Sequence, residues 1–354
     1  MRKSVLLILA LLIQQICFPA RAANAEELQP IPVPLSNNAV AGLRIEKQFL
    51  VYSFMGLGAK KSWNSFTNAA YAFNSKYNTW TAIKPAPGIG RLGTVAVAAR
   101  EQVLVIGGYV PDPNGMQMVV RTVSIYEPAA LRWHEGTDLP TAVRDAVAGV
   151  YRDRYIYVIG GFTPAGLTNQ VQVYDLETKQ WSQATPSPGT PVLGHAGSLV
   201  NDTIIYVAGA RGGTQAEAGK YLPSDECWMG KIDHHDPKKI TWSKLPAHPG
   251  AARYRIAAGG SEKDQRVYFA GGSDGIYDFN GIGMDGKPAE PSPTVFAYNL
   301  KSNAWETIDD MPNPTMDHHG LAVLSDGLIL VGGMGKGQKV VGNTVMIPKA
   351  AVKK

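Results

Sequence analysis

The sequence predicts an all-β fold built from repeated four-stranded units, and three observations support this class. The 354 residues are 45% hydrophobic and only 18% charged, which is ample for a large buried core and excludes a disordered chain. The 38 Gly and 24 Pro follow no collagen-like period and therefore indicate many short strands joined by turns. An apolar strand ending in glycine, an aromatic strand, a turn and a tryptophan also recur in that order.

The glycine-ended strands give the number of repeats. Five are clear and one near the N-terminus is weaker, namely 104-LVIGGY-109, 157-YVIGGF-162, 206-YVAGAR-211, 268-YFAGGS-273, 330-LVGGMG-335 and the weaker 54-FMGLGA-59. The tryptophans that close the units are spaced from 48 residues (Trp133 to Trp181) to 63 residues (Trp242 to Trp305). Five similar units in the same order indicate a true internal repeat.

This plan resembles the kelch repeat of β-propellers over about residues 30–348. The resemblance implies a propeller, because a four-stranded sheet buries both faces only when it packs between neighbours around a ring. The six glycine-ended strands predict six blades. The last unit has only three strands of its own, near 319–325, 328–333 and 343–348. We expect the N-terminal segment 28-LQPIPVPL-35 to add the outermost strand of that blade, where an edge position tolerates proline.

The first 22 residues read as a secretory signal peptide. A basic start at Arg2 and Lys3 precedes an apolar stretch and the cleavage signal Ala20-Arg21-Ala22. We therefore expect a propeller at 28–348, a C-terminal tail at 349–354, and a periplasmic or secreted location without membrane insertion after signal removal. Losing Arg2, Lys3 and Arg21 would lower the formal net charge from +5 by three, to +2, and no basic run remains to suggest nucleic acid.

The long loops point to one face of the propeller as the binding face. In a four-stranded up-and-down blade (strands a to d, inside to outside), the b–c loop and the link to the next blade emerge on the same side. The long b–c loops are 109–120, 211–227 and 273–293. Long loops gathered on one face of a rigid scaffold usually carry binding.

Aligned starts of strand a predict a cluster at the mouth of the central channel. Arg91, Arg144, Arg255 and His318 share one aligned position, with His195 and His319 at the next. Converging guanidinium groups would suit a carboxylate or sulfate. The alternative is that each arginine pairs with a nearby Asp or carbonyl and only ties blades together.

The stretch 317-DHH-319 is a weak metal candidate, because adjacent strand residues point to opposite sides and no further ligand set has a recognisable spacing. The cluster 233-DHHD-236 falls in a turn and is expected to be solvated. Copper-radical oxidases such as galactose oxidase also carry kelch-type repeats, and their chemistry needs a cysteine linked to a tyrosine. Here Tyr221 lies near Cys227 in sequence, but Cys227 is better explained as a buried apolar residue. We expect no metal and no cofactor.

Within exported kelch propellers, segments 144-RDAVAGVYRDRYIYVIGG-161 and 194-GHAGSLVNDTIIYVAG-209 are similar to N-acetylneuraminate epimerase/mutarotase proteins. That resemblance implies a small sugar or sugar-acid ligand and an isomerase activity. Arg91, Arg144 and Arg255 would hold the carboxylate, with His195, Asp317 and Tyr221 as further ligand-binding candidates. One of His318, His319 and Glu226 would move a proton between the ring oxygen and the anomeric hydroxyl.

A second hypothesis is a non-catalytic module whose long-loop face binds a protein or a polysaccharide. Aromatic residues on that face would suit this use, namely Tyr109, Tyr221, Trp228 and Tyr277. The two hypotheses differ in geometry. A small-ligand site needs the arginines to converge on one pocket, whereas an interaction face needs a broad exposed apolar patch.

Overall fold

The computed structural model describes residues 25–111, 116–214 and 219–349. The predicted signal peptide, and the predicted tail apart from Lys349, lie outside the described residues. Within them the chain is all-β, with only single-turn 3-10 helices at Trp63–Ser65, Pro128–Ala130 and Lys336–Gln338. No helix of the described part is long and apolar enough to cross a membrane.

Six four-stranded antiparallel sheets account for most of the chain. They are numbered here in chain order, and the strands of each run from a to d. Sheet 1 has Ala39–Ile45, Gln48–Leu57, Phe66–Asn74 and Thr79–Ile83; sheet 2 has Val95–Ala99, Gln102–Ile106, Val123–Glu127 and Arg132–Glu135; sheet 3 has Val147–Tyr151, Tyr155–Ile159, Val171–Asp175 and Gln180–Ala184.

The second half of the chain repeats the plan. Sheet 4 has Ala196–Val200, Thr203–Val207, Cys227–Ile232 and Ile240–Leu245; sheet 5 has Ala257–Ser261, Arg266–Ala270, Val295–Asn299 and Ala304–Ile308; sheet 6 has Ala322–Val323, Gly327–Val331, Thr344–Pro348 and Glu26–Leu28. Each strand a contacts strand a of the next sheet, and that of sheet 6 contacts that of sheet 1.

Shorter strands extend four of the b–c connections. They pair as Tyr109–Pro111 with Gln117–Val119, Phe162–Thr163 with Gly166–Leu167, Ala210–Gly212 with both Val192–Leu193 and Tyr221–Pro223, and Met334–Gly335 with Lys339–Val340. The described parts of these four connections therefore contain short antiparallel strand pairs.

The N-terminal strand pairs with sheet 6, but it lies earlier than the sequence predicted. Glu26–Leu28 pairs with Thr344–Met346, so only Leu28 falls within the predicted strand at 28–35. Pro30 and Pro32 follow the strand because proline has no N–H for the ladder. Ile31 between them still donates its N–H to the Gly342 carbonyl at 2.8 Å.

The closing tryptophans join successive sheets by one repeated contact. Trp133, for example, packs edge-on against Phe54 of sheet 1, with ring centroids 5.2 Å apart. Each indole N–H also donates to a carbonyl just after the preceding strand d: Trp80 to Gln29 (3.0 Å), Trp133 to Lys84 (2.7 Å), Trp181 to Thr137 (2.8 Å), Trp242 to Thr185 (3.2 Å) and Trp305 to Pro246 (2.9 Å). The closing tryptophans thus join neighbouring sheets by packing and by a hydrogen bond.

Candidate functional site

A ring of six residues, one before each strand a, organises the end of the channel beneath the long loops. All six have positive φ, between 48° and 70°: Asn37, Gly93, Asp145, Gly194, Arg255 and Asp317. Backbone hydrogen bonds join four successive pairs of them, as in Asp145 N to Gly93 O (2.9 Å) and Asn37 N to Asp317 O (2.8 Å). We call these six residues the rim ring.

Three rim-ring side chains and two neighbours form a buried ion cluster, defined as Arg144, Asp145, Arg255, Asp317 and His319. Arg255 lies between the two acids, with Nε 3.1 Å from Asp145 Oδ1 and one terminal nitrogen 3.0 Å from Asp317 Oδ1. Arg144 pairs with the other oxygen of Asp145. His319 Nε2 lies 3.4 Å from Asp145 Oδ1. The side chain of Arg255 is only 3% exposed.

Asp145 and Arg255 compensate each other's charge, so both side chains stay ionised. Burial alone would raise the pKa of Asp145, but the guanidinium groups of Arg255 and Arg144 outweigh it and hold that pKa well below its usual range. Burial alone would lower the pKa of Arg255, yet Asp145, with Asp317 and nearby tyrosines, raises it well above the usual value. Burial lowers the pKa of His319, so its imidazole is neutral at pH 7.

An apolar layer drawn from the b–c hairpins of all six sheets covers this cluster. It includes Leu57, Tyr109, Phe162, Tyr221, Tyr277 and Met334. Two of its rings stack on Arg144, whose guanidinium carbon is 5.1 Å from the centroid of Tyr109 and 4.6 Å from that of Phe162. Arg255 stacks in the same way on Tyr254 and Tyr277, at 5.0 and 5.6 Å. The arginines therefore face aromatic rings and carboxylates.

The loop 273–293 of sheet 5 crosses the face and ties the covering layer together. Phe279 packs on Trp63 of sheet 1, with ring centroids 4.5 Å apart. Asp278 accepts a hydrogen bond from Gln117 of the sheet 2 hairpin at 3.3 Å. Above this layer Met118 is 53% exposed and Met284 is 62% exposed. The long-loop face thus presents Met118 and Met284 to solvent and keeps Arg144 and Arg255 beneath.

Comparison with known proteins assigns the family. The KLHDC2/KLHL20/DRC7 Kelch-repeats domain model matches residues 45–272, more than half of the 354 residues. The chain belongs to the kelch-repeat family. It is 32% identical to the Kelch-like protein terF of Aspergillus terreus over 196 residues, which are 54% of this chain and 39% of that protein. It is 29% identical to mouse Kelch-like protein 35 over 249 residues, which are 70% and 36% of the two chains.

A solved structure supports the kelch propeller fold. The structure of YjhT superimposes with a TM-score of 0.72, covering 92% of this chain and 99% of that one at 19% identity. At that identity the likeness concerns the fold. The curated kelch relatives are longer, and the chain spans about two fifths of their length.

The expectation that three arginines converge on one pocket is wrong. Arg91 is buried inside sheet 2, where it donates to the carbonyls of Gly107 (2.8 Å) and Thr122 (2.9 Å). Burial lowers its pKa to about 10. Counted from the rim ring, Arg91 lies two residues before Gly93, Arg144 one residue before Asp145, and Arg255 within the ring itself. Local pairing, the alternative prediction, describes Arg91 correctly.

His195 and His318 are equivalent residues, each directly after a rim-ring residue. His195 Nε2 donates to the Ile159 carbonyl at 3.0 Å, and His318 Nε2 lies 3.0 Å from Thr315 Oγ1. Burial lowers the pKa of His195 to about 4 and that of His318 to about 3. Both are neutral at pH 7. His195 bonds to strand b of the preceding sheet 3, whereas His318 bonds within the link that leads into sheet 6. Only His319 among the predicted histidines joins the ion cluster.

The other predicted catalytic residue, Glu226, is engaged elsewhere. Its carboxylate accepts hydrogen bonds from Thr190 N (2.9 Å) and Trp228 Nε1 (3.2 Å), and Lys244 Nζ lies 3.2 Å away. None of these partners belongs to the ion cluster. Tyr221, a predicted ligand-binding residue, packs in the apolar layer.

The strands a enclose a central channel of about 270 Å³. Small side chains line most of it, and His318 and His319 lie at its rim-ring end. Within residues 25–111, 116–214 and 219–349, no group of three or more His, Cys, Asp or Glu could hold a metal ion. Cys227 is buried, and burial raises its thiol pKa to about 12.

Asp145 and Asn37 are the site residues that sequence reasoning missed. Asn37 donates from Nδ2 to Asp317 Oδ1 at 2.7 Å and accepts from Gly93 N at 2.6 Å. A signal was available in the series Asn, Gly, Asp, Gly, Arg, Asp, because Asn, Asp and Gly are the residues that best tolerate positive φ. Aligning the repeats on that position would have given the correct register.

Proposed function

We propose that the six sheets form a closed six-bladed propeller whose last blade is completed by the N-terminal strand. The contacts between successive strands a, including sheet 6 with sheet 1, support a ring. The tryptophan pattern supports the closure independently. Trp80 donates to Gln29, just after Glu26–Leu28, as Trp133 donates to Lys84 just after strand d of sheet 1. Glu26–Leu28 thus occupies the position of a strand d.

We propose that this propeller is an exported, non-catalytic binding module whose long-loop face binds a protein. One observation carries the proposal: hairpins of sheets 2 and 5 meet at Gln117 and Asp278 and present Met118 and Met284 above a buried ion cluster. Methionine adapts to a partner surface. Aromatic rings and carboxylates enclose Arg144 and Arg255, so these two buried guanidinium groups are not open for chemistry.

A protein suits this face better than a polysaccharide. Sugar chains are commonly bound by exposed aromatic rings, whereas here Tyr109 and Tyr277 are buried. Export is proposed from residues 1–22 alone, with a periplasmic or released location.

Site-specific photo-crosslinking in an extract of the source organism tests the binding face. A photoreactive amino acid at Met118 or Met284 is expected to capture the same protein, and Met118→Glu or Met284→Glu should weaken its binding by about tenfold or more. Leu131, 70% exposed in a c–d turn of sheet 2, is the matched control position. Equal capture from Leu131, or no capture from either methionine, would refute the proposal.

A second candidate is a small sugar or sugar acid bound at the ion cluster when the covering loops move aside. Specific atoms favour it, since Asp317 Oδ2, Arg144 Nε, Tyr109 OH and Tyr277 OH are buried without a hydrogen-bond partner among the described residues. A buried polar atom without a hydrogen-bond partner destabilises a protein unless a ligand or a water supplies that partner. In this candidate Arg144 and Arg255 would hold a carboxylate and His319 would exchange a proton.

Thermal unfolding with N-acetylneuraminate, glucuronate and neutral sugars tests this second candidate. If it holds, the sugar acids raise Tm in the wild type and have no effect on Arg144→Ala. A shift from neutral sugars alone, or one that survives Arg144→Ala, would rule out the arginine site. An absence of any shift would leave the protein-binding proposal as the sole candidate.

A further inference from the structure

The loops of sheets 6 and 1 carry a group of lysines beside the exposed methionines. Lys60 and Lys61 lie in the b–c loop of sheet 1, and Lys336 and Lys339 in that of sheet 6. Among the residues that the structure describes, none of the four forms an ion pair, although other surface lysines such as Lys231 and Lys244 do. We call these four residues the basic rim.

The basic rim and the methionines belong to one surface, because the sheet 5 loop touches both lysine-bearing loops. Phe279 packs on Trp63, two residues after Lys61. Gly281 lies against the side chain of Gln338, which stands between Lys336 and Lys339 in sequence. Met284 follows Gly281 by three residues in the same loop, so the loop that carries it contacts both lysine-bearing loops.

The carboxylates of this region accept hydrogen bonds within their own loop and from neighbouring loops. Asp278 Oδ1 accepts from Phe279 N at 2.8 Å, and Asp285 Oδ1 accepts from Lys287 N at 3.0 Å. Glu290 accepts from Gln338 Nε2 at 2.9 Å and from Gly337 N at 3.3 Å. These three carboxylates keep their charge and offset part of the basic rim. With Lys287, which lies 3.8 Å from Asp285, five lysines stand against three carboxylates and leave a local charge of +2 for a partner to meet.

We propose that the segment bound on the long-loop face is an acidic polypeptide stretch carrying a large apolar side chain. The inference rests on the proposed protein-binding function and names the chemistry of its partner. The apolar side chain would pack on Met284 and Met118, while its flanking carboxylates would meet the basic rim. Charge complementarity of this kind speeds association and rejects partners of the wrong charge.

Peptide display on the whole folded protein tests the inference. Random 12-residue peptides selected on the wild type are expected to be rich in Asp and Glu around one large apolar residue. Charge reversal of the basic rim, K60E/K61E/K336E/K339E, should weaken a selected acidic peptide by roughly tenfold or more. High salt should weaken it in the wild type as well.

A matched variant separates local charge from net charge. Lys76, Lys179, Lys263 and Lys301 are exposed in a–b and c–d turns, and K76E/K179E/K263E/K301E changes the net charge equally. This control should retain affinity within about threefold, since distant surface charges are largely screened. Equal losses in both variants would overturn the basic-rim assignment.

The outcomes also distinguish this inference from the proposed function. Peptides that lose binding in Met284→Glu but show no acidic preference would refute the acidic partner and keep the protein-binding face. Peptides unaffected by Met118→Glu and Met284→Glu would refute both. Binding of a sulfated polysaccharide, with no peptide selected, would refute the polypeptide partner.

Discussion

Replacing Arg255 with methionine is expected to lower the free energy of unfolding by about 3–5 kcal/mol. The guanidinium group contacts both Asp145 and Asp317, and all three side chains are buried. Methionine fills much of the same volume but removes the charge that compensates the two acids. Each acid keeps a single strong partner, Arg144 for Asp145 and Asn37 for Asp317. The loss therefore comes mainly from uncompensated buried charge.

Urea unfolding monitored by tryptophan fluorescence measures this effect, with two-state behaviour checked by a second probe. Arg132→Met is the matched control, because Arg132 pairs with Glu127 at the exposed surface and should change stability by no more than about 1 kcal/mol. The double variant R255M/D317N should recover part of the loss. Equal costs for Arg255→Met and Arg132→Met would contradict a coupled ion cluster.

The same substitution bears on the proposed binding face. Arg144 and Arg255 stack on Tyr109, Tyr254 and Tyr277, which are part of the layer that carries the long loops. The cluster therefore serves as the base on which Met118 and Met284 are presented. Loosening that base should weaken partner binding without any change to a contacting residue.

Much of the architecture could be predicted because it repeats. The glycine-ended strands recur in six units and the closing tryptophans in five, so errors in one unit are corrected by the others. The sequence also predicted which residues lie together at the rim ring, because every strand a begins there. These residues are Arg144, Arg255, Asp317 and His319. The N-terminal strand was predicted a few residues late because a short edge strand has no periodic pattern of its own.

The rest depended on features that composition does not reveal. Arg91 was misplaced because a positive-φ turn before strand a shifts the register, and one residue of shift turns a side chain to the other side. The loop composition gave no indication that Tyr109 and Tyr277 would fold inward over the arginines. Asp145 was overlooked because its role depends on Arg255, which is 110 residues away in sequence.

Acidification is expected to destabilise the protein strongly, and the buried histidines determine the pH range of that loss. Burial lowers the pKa of His318 to about 3 and that of His195 to about 4, against 6.5 for an exposed imidazole. Between pH 6.5 and those values the unfolded chain binds protons that the folded chain does not. Stability is therefore complete above about pH 6.5 and falls as the pH is lowered towards 4, on the order of 3 kcal/mol for each histidine. Asp145, whose pKa is depressed, adds a further loss only below about pH 4.

His318→Gln separates this titration from general acid lability. Glutamine can keep a hydrogen bond to Thr315 Oγ1 but binds no proton. Between pH 4 and 6 the free energy of unfolding of the variant should therefore change with pH less steeply than that of the wild type, by the contribution of about one proton. His235→Gln, in the exposed turn 233–236, is the control for the loss of an imidazole. Urea unfolding at half-unit steps from pH 4 to 7.5 gives both slopes. An unaltered slope in His318→Gln would mean that this imidazole stays solvated in the folded protein, which the packing of Thr315 and Gly333 around it argues against.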